Sequence, residues 1–213
     1  MIREDLANMR RDYASTTLDE ATAAREPLGQ FRQWIMDASA AEVLDPNAMT
    51  LATCGADRRP AARVVLLKYY GDEGFTFFTN YTSKKGRQLE ENPNAALHFF
   101  WPELHRQILI QGMVTKFDKA KGDEYFLSRP VDSKIGAWAS HQSSVIGSRE
   151  ELDAEFADLQ DRFDDDVPPP PFWGGYTLQP DCYEFWQGRV SRLHDRLVYT
   201  RKDTAWEITR LAP

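Results

Sequence analysis

Short runs of helical and strand periodicity alternate along this chain. Residues 1–26 mix charged and small side chains with weak periodicity and read as an arm, partly helical or disordered. From Pro27 the pattern sharpens. Leu28, Phe31, Ile35 and Ala38 recur at three- and four-residue intervals with Trp34 beside the stripe, which predicts a helix that Asp45-Pro46 ends. Strands are expected over 48–54 and 62–69 around a turn at 55–60, and over 75–79 after a turn bracketed by Gly71 and Gly74. Ser83 is placed to cap a short helix, 84–91, that stops before Pro93.

The second half continues in the same mixed way. Strands 95–101 and 107–117 flank a turn at Pro102, and a helix over 118–127 is closed by Pro130. Ser148 with Glu151 forms a capping box, after which Leu152, Phe156, Leu159 and Phe163 share one helical face. Asp164-Asp165-Asp166 and Pro168–Pro171 form a stiff polar crossing. Too few residues follow it for a comfortable independent domain, so it reads as a semi-rigid loop inside one domain, 27–213. Strands 175–178, 183–186, 192–200 and 206–211 finish the chain. The fold class is mainly β with helices, a barrel or sandwich.

Composition narrows the partners. Twenty-six Lys and Arg against 33 Asp and Glu leave a net charge of −7 over 213 residues. Nucleic acid and anionic membranes want an overall basic face, so neither is an expected partner, and any anionic ligand must meet a local cationic cluster. Cys54 and Cys182 make no CxxC pair and read as buried thiols of a reducing compartment. No run approaches the roughly 20 apolar residues that span a bilayer, and the charged N-terminus lacks a signal-like apolar region. A cytoplasmic location is expected.

The chemistry-bearing residues are basic and hydroxylic. There is no GxSxG, HExxH, P-loop or GxGxxG. Arg63 and Lys68 bracket the apolar run Val64-Val65-Leu66-Leu67, either as charges snorkelling at strand ends or as ligand contacts. Five apart, they point to opposite faces of a regular strand, so one shared site needs a bulge or an extended ligand. Thr79-Asn80-Tyr81-Thr82-Ser83-Lys84-Lys85 runs from a strand into a helix start, an arrangement suited to phosphate and equally to an exposed polar turn. Arg192, His194 and Arg196, spaced by two, are expected on one strand face with Leu193 and Leu197 toward the core. Two guanidiniums around an imidazole suit a bound anion, with a solvated outer face as the alternative, and His194 can carry a charge near neutrality depending on its neighbours. Tyr125, Arg129 and Ser133 straddle Pro130 at a helix end. His98, His105 and His141 share no metal-ligand spacing, and no metal is expected.

These segments resemble the pyridoxine (pyridoxamine) 5′-phosphate oxidase family, flavin enzymes that make pyridoxal 5′-phosphate. The resemblance runs from Met9-Arg10-Arg11-Asp12-Tyr13 to Arg210-Leu211-Ala212-Pro213. It includes the Arg63–Lys68 run, Ser128-Arg129-Pro130, Gly136-Ala137-Trp138, Gln142-Ser143 and Phe172-Trp173-Gly174-Gly175. Glu184-Phe185-Trp186-Gln187-Gly188 followed by Arg192-Leu193-His194-Asp195-Arg196 is its most specific part. It implies an FMN-binding split β-barrel, Greek-key-like, assembled as a homodimer with the flavin at the subunit interface. By resemblance, FMN contacts are Arg63, Val64, Leu67, Lys68, Phe78, Thr79, Lys84, Lys85, Gln107, Gln142, Ser143, Trp186 and Arg196. Lys68, Tyr125, Arg129 and Ser133 hold the substrate phosphate, and Arg192 and His194 are the catalytic pair at the pyridine ring. Arg10 and Tyr13 close over it as a mobile arm. Lys84 stands where many relatives have Arg, Phe78 replaces a common Tyr, and Asp12 a common Glu. The implied reaction moves a hydride from C4′ of a phosphorylated B6 vitamer to flavin N5, with O₂ reoxidising the flavin to give H₂O₂. The alternatives are a phenazine-biosynthesis flavoprotein, or a non-catalytic protein that binds flavin or pyridoxal phosphate.

Overall fold

In the computed structural model, which describes residues 16–213, the alternation at residues 48–66 becomes an antiparallel hairpin. Strand β1 (Ala48–Cys54) pairs with β2 (Pro60–Leu66) from Ala48↔Leu66 to Cys54↔Pro60, and burial alternates along both. The remaining strands are β3 (Tyr69–Gly71), β4 (Gly74–Asn80), β5 (Asn94–Trp101), β6 (Arg106–Lys116), β7 (Trp173–Gln187), β8 (Asp195–Lys202) and β9 (Ala205–Arg210). They hydrogen-bond in the order β2-β1-β5-β6-β7-β4-β3, with β8 on β7 and β9 on β8. The helices are α1 (Pro27–Ala40), α2 (Lys84–Glu91), α3 (Lys119–Leu127), α4 (Val131–Ala139) and α5 (Arg149–Phe163). None of them is long and apolar enough to cross a membrane.

The chain forms two compact units. The first takes the described residues up to Pro46, His98–Ile110 and Asp181–Pro213. Its core sets Phe31 and Trp34 of α1 edge-on against Phe99 and Phe185, each pair 5.3 Å apart. Trp34 thus belongs to the buried face, whereas Leu28 and Ile35 are only half-buried. The helix stops at Ala40, short of the expected Asp45-Pro46, because Glu42 and Asp45 adopt positive φ that no α-helix continues through. The described part of the arm, residues 16–26, contains no helix. Asp195 accepts from the Leu18 N–H and Arg210 donates to Glu20 and to the Leu18 carbonyl, which fastens this segment down.

The second unit comprises Asn47–Leu97 and Gln111–Pro180. One part of its core is Phe126, Ile135, Ala139, Leu159 and Val167. Leu152, Phe156 and Phe163 of α5 pack around that cluster as the helical spacing predicts. Ser148 caps α5 through the Glu151 N–H, but Glu151 reaches back to Gly147 rather than to Ser148, so the box is offset by one residue. Helix α4 has no counterpart in the expectations. Pro130 ends the reading of α3 and also serves as the N-cap of α4, a dual role a linear scan assigns once.

Strand β7 replaces two expected short strands. Pro180 has no N–H to donate, yet it interrupts nothing: β7 pairs with β4 up to Leu178 and with β8 only from Cys182. The proline sits where the strand changes partners. The expected strand 192–200 begins at Asp195 instead. Val190–Arg192 is a 3₁₀ turn with Ser191 and Arg192 both at positive φ, so Arg192, His194 and Arg196 do not alternate along one strand. Leu197 is in the core as expected, but Leu193 is exposed. Cys54 and Cys182 are half-buried rather than buried.

One close approach fixes the start of α2. A Cβ on Gly86 would lie 2.0 Å from the Tyr81 carbonyl oxygen. Gly86→Ala is expected to cost about 1–3 kcal/mol by overpacking, read as a lower urea midpoint at an unchanged slope. The same substitution displaces Lys84 and Lys85, so anion affinity falls with it.

Candidate functional site

The second unit contains a cavity of about 860 Å³ walled by β2, β4, the start of α2, the α3–α4 junction and the 140–143 segment. Among the described residues, five cationic side chains line it, Arg63, Lys68, Lys84, Lys85 and Arg129, and no carboxylate does. In a chain with seven surplus negative charges this segregation is not expected by chance.

Each cation is placed by a different device. Arg63 lies opposite Leu51 in the β1–β2 register, on the half-buried side of β2. Its Nη1 donates to the Leu51 carbonyl at 3.0 Å and to Thr53 Oγ1 at 2.6 Å, and Nη2 donates to Gln88 Oε1 at 3.3 Å. Thr53 also donates to Gln88 Oε1 at 2.7 Å, so two buried neutral side chains clamp the guanidinium without cancelling its charge. Burial pushes the Arg63 pKa down. Lys68 reaches the same cavity because β2 ends at Leu66. The Leu67 and Lys68 N–H groups turn to the Asn47 and Thr76 carbonyls, and this break removes the opposite-face difficulty. Leu67 itself is buried and does not line the cavity.

Ser83 caps α2 through the Gly86 N–H while donating to the Asn80 carbonyl, so its hydroxyl is committed to the fold. Lys84 stands exposed at the rim, and Lys85 is buried behind it. Lys85 Nζ donates to Gln142 Oε1 at 2.6 Å, Thr79 Oγ1 at 3.1 Å and Ser83 Oγ at 3.4 Å. Desolvation first, and the Arg63 charge second, lower its pKa to about 8. Ser143, held at φ 72°, lines the cavity beside Gln142.

Arg129 follows the end of α3, with its Cζ 5.3 Å from the Trp173 ring centre and 5.5 Å from that of Phe126. Its Nη1 is buried without a hydrogen-bond partner among the described residues. A buried N–H left unmade costs about 1–3 kcal/mol, so this atom is suited to an acceptor that the described residues do not supply. Tyr125 and Ser133 line the cavity beside it, and Phe78 stacks on Tyr125 at 4.3 Å. Val64 is an exposed part of the wall.

The other expected residues lie elsewhere. Gln107, Trp186 and Arg196 line a smaller cavity of about 360 Å³ in the first unit, with His98, Glu184 and Pro213. His98, set aside in the sequence, bonds Gln107 there at 3.0 Å. Arg196 Nε donates to Glu184 Oε1 at 2.7 Å and Nη1 to the Ala212 carbonyl, and the Glu184 hydrogen bond raises its pKa. His194 packs 4.5 Å from the Trp186 ring, and its Nδ1 accepts from the Arg189 N–H. Desolvation, then the Arg192 charge, lower its pKa. Both effects favour the neutral ring, and an accepting Nδ1 places that form's proton on Nε2. Arg192 sits on the strained turn and lines neither cavity. Arg10 and Tyr13 lie outside the described residues. Among those described, no group of His, Cys, Asp or Glu is arranged to hold a metal ion.

Thr53, Gln88 and Trp173 had no expected role. The first two carry no local motif, since only the β1–β2 register and the α2 face bring them to Arg63. Gln88→Leu is expected to cost about 1–3 kcal/mol, because it strands Arg63 and Thr53 donors in the interior. Arg63→Ala should then cost clearly less in that background than alone, as measured by urea unfolding. Lys85 supplies a pH test. Its folded pKa lies below the unfolded value, so burial and the Arg63 charge penalise the charged form, and the protein gains stability as pH rises from about 8 toward 10.5. A phosphate binds the charged form. Affinity for a phosphomonoester should be flat just below pH 8 and fall up to about tenfold per pH unit above it. Lys85→Met should remove the slope.

Comparison with known proteins agrees with this geometry. Residues 35–163 match the family model described as pyridoxamine 5′-phosphate oxidase, and residues 173–213 match that of the pyridoxine 5′-phosphate oxidase C-terminal dimerisation region. A pyridoxine/pyridoxamine 5′-phosphate oxidase of Burkholderia multivorans is 56% identical over 98% of this chain and 99% of its own. One from Thermosynechococcus vestitus is 52% identical, with the same coverage. Among solved structures, PhzG from Burkholderia lata, in complex with tetrahydrophenazine-1-carboxylic acid, superposes with a TM-score of 0.88 at 34% identity, covering 93% of this chain and 98% of its own. An FMN-binding protein of Nostoc punctiforme related to pyridoxamine 5′-phosphate oxidase superposes at 0.70 with 17% identity, covering 89% and 100%. The fold is the split barrel of these flavoproteins, and the chain belongs to the pyridoxamine 5′-phosphate oxidase family.

Proposed function

We propose that this protein is an FMN-dependent oxidase that converts pyridoxamine 5′-phosphate and pyridoxine 5′-phosphate to pyridoxal 5′-phosphate. The observation that carries the reading is the carboxylate-free cavity with five cations and the unpartnered Nη1 of Arg129. A single phosphate does not need cations on two separate walls. Two phosphoryl groups do, one on FMN and one on the vitamer.

The residues present fit the cofactor. Arg63, Lys84 and Lys85, on β2 and at the start of α2, would meet the FMN phosphate, with Thr79, Gln142 and Ser143 as neutral partners. Lysine at 84 keeps the charge but makes no bidentate fork. When bound, FMN supplies a hydride acceptor at N5 and passes the electrons to O₂, giving H₂O₂. The chain's part is to bind and orient. Lys68, Tyr125, Arg129 and Ser133 hold the vitamer phosphate, which is remote from C4′, so that its binding energy positions the reacting carbon. The C4′ alcohol leaves as an aldehyde. The C4′ amine does so after its imine takes up water and releases ammonia. His194, through Nε2, and Arg192, through its guanidinium, would face the polar edge of the pyridine ring. They act in a homodimer whose flavin borders two chains, which also employs Gln107, Trp186 and Arg196. Two unpaired thiols suit a cytoplasmic setting.

PhzG supports a second reading, oxidation of a carboxylated phenazine precursor, because its structure superposes so fully. Identity of 52–56% to B6 oxidases against 34% to PhzG favours the vitamer. The purified protein should be yellow and should bleach on anaerobic addition of pyridoxamine 5′-phosphate. Arg129→Ala should raise KM for that substrate about 30-fold or more, with FMN retained, as expected for a lost charge-assisted pair. Bleaching by a dihydrophenazine carboxylate alone would reverse the assignment.

A further inference from the structure

The Phe172-Trp173-Gly174-Gly175 motif has no part in the binding scheme above, yet Trp173 lines the cavity directly beside Arg129. We infer that Trp173 is the positioning residue for Arg129, its ring face holding the guanidinium so that the N–H donors stay free for the vitamer phosphate. The inference rests on the reading of Arg129 as a substrate-phosphate ligand.

The geometry supports it in three ways. Arg129 Cζ lies 5.3 Å from the Trp173 ring centre and 5.5 Å from Phe126, inside the range of cation–π attraction. The Trp173 ring is itself immobilised, stacked on Phe78 at 5.0 Å and 5° and set edge-on to Phe126 at 4.9 Å. Its backbone is fixed by the bond to the Pro170 carbonyl and by pairing with Asn80. Finally, Nη1 is buried and has no hydrogen-bond partner among the described residues, so the rings beside the guanidinium take up none of that atom's donors. A carboxylate in Trp173's place would take up the donors and neutralise the charge, and an incoming phosphate would have to displace it. An aromatic face attracts the cation and competes for none of its in-plane N–H groups.

The test is steady-state kinetics on the holoenzyme with pyridoxamine 5′-phosphate, beside flavin retention by absorbance. Trp173→Leu should raise KM about tenfold or more, with kcat and FMN affinity changed by less than about twofold. Trp173→Phe, which keeps a ring face, should raise KM only about two- to threefold. In an Arg129→Ala background, either substitution should add nothing further, since the group it aims is gone. Leucine also empties space beside Phe126. Should that variant not fold, the phenylalanine pair completes the same cycle, and an unchanged KM there overturns the inference. So does an additive effect in the Arg129→Ala background, or a parallel loss of flavin, either of which makes the ring a general wall of the cavity. If Arg129→Ala alone leaves KM unchanged, the assignment of Arg129 fails first, an outcome read from a different variant.

Discussion

Like charges held close together in a partly desolvated space, with no counter-charge among the groups lining it, are the constraint that orders this structure. Arg63, Lys68, Lys84, Lys85 and Arg129 share one cavity in a protein that is acidic overall. Arg63, Lys85 and Arg129 lose hydration and Arg63 repels Lys85, so the arrangement is costly until an anion enters. The depressed pKa of Lys85 and the stranded Nη1 of Arg129 are two expressions of that cost.

The fold bears the cost by fastening the cations with neutral groups. Thr53 and Gln88 take Arg63, Gln142 and Thr79 take Lys85, and aromatic faces take Arg129. None of these partners carries a charge, so positions are fixed while the field stays positive. The contrast with Arg196 is instructive. That residue is locked to Glu184 and to the Ala212 carbonyl, so much of its charge is answered within the chain. It is less suited to capturing an anion than the cations of the larger cavity. Arg192 differs again, since with Ser191 it sits at positive φ on a turn and lines neither cavity.

The architecture serves this placement. Strands supply registers that set one residue opposite another, as Leu51 opposite Arg63. The break after Leu66 rotates Lys68 onto the wall that Arg63 already faces, and the tight approach of Gly86 to Tyr81 fixes where α2 starts. Pro180 lets one long strand serve two sets of partners. Substitutions at such positions act on the site through geometry and leave its chemistry unaltered.

Periodicity and end signals alone determined most of the elements: α2 with its Ser83 cap, α3 from Asp118, α5 with Ser148, and the 48–66 hairpin. These depend on bonds between residues a few positions apart, which a linear pattern records. The motifs likewise named the five cations. What they left open was grouping and orientation. The end of α1 at Ala40, the single β7 and the turn that carries Arg192 off its expected strand depend on positive φ or on partners far away in the chain, and helix α4 is hidden because Pro130 both closes α3 and caps α4. Thr53, Gln88 and Trp173 look ordinary in sequence, because a neutral side chain acquires its role only from the charge packed against it. Only the tertiary structure decided which donors the chain itself satisfies and which, like Nη1 of Arg129, it leaves for a ligand, since that count requires every neighbour in space.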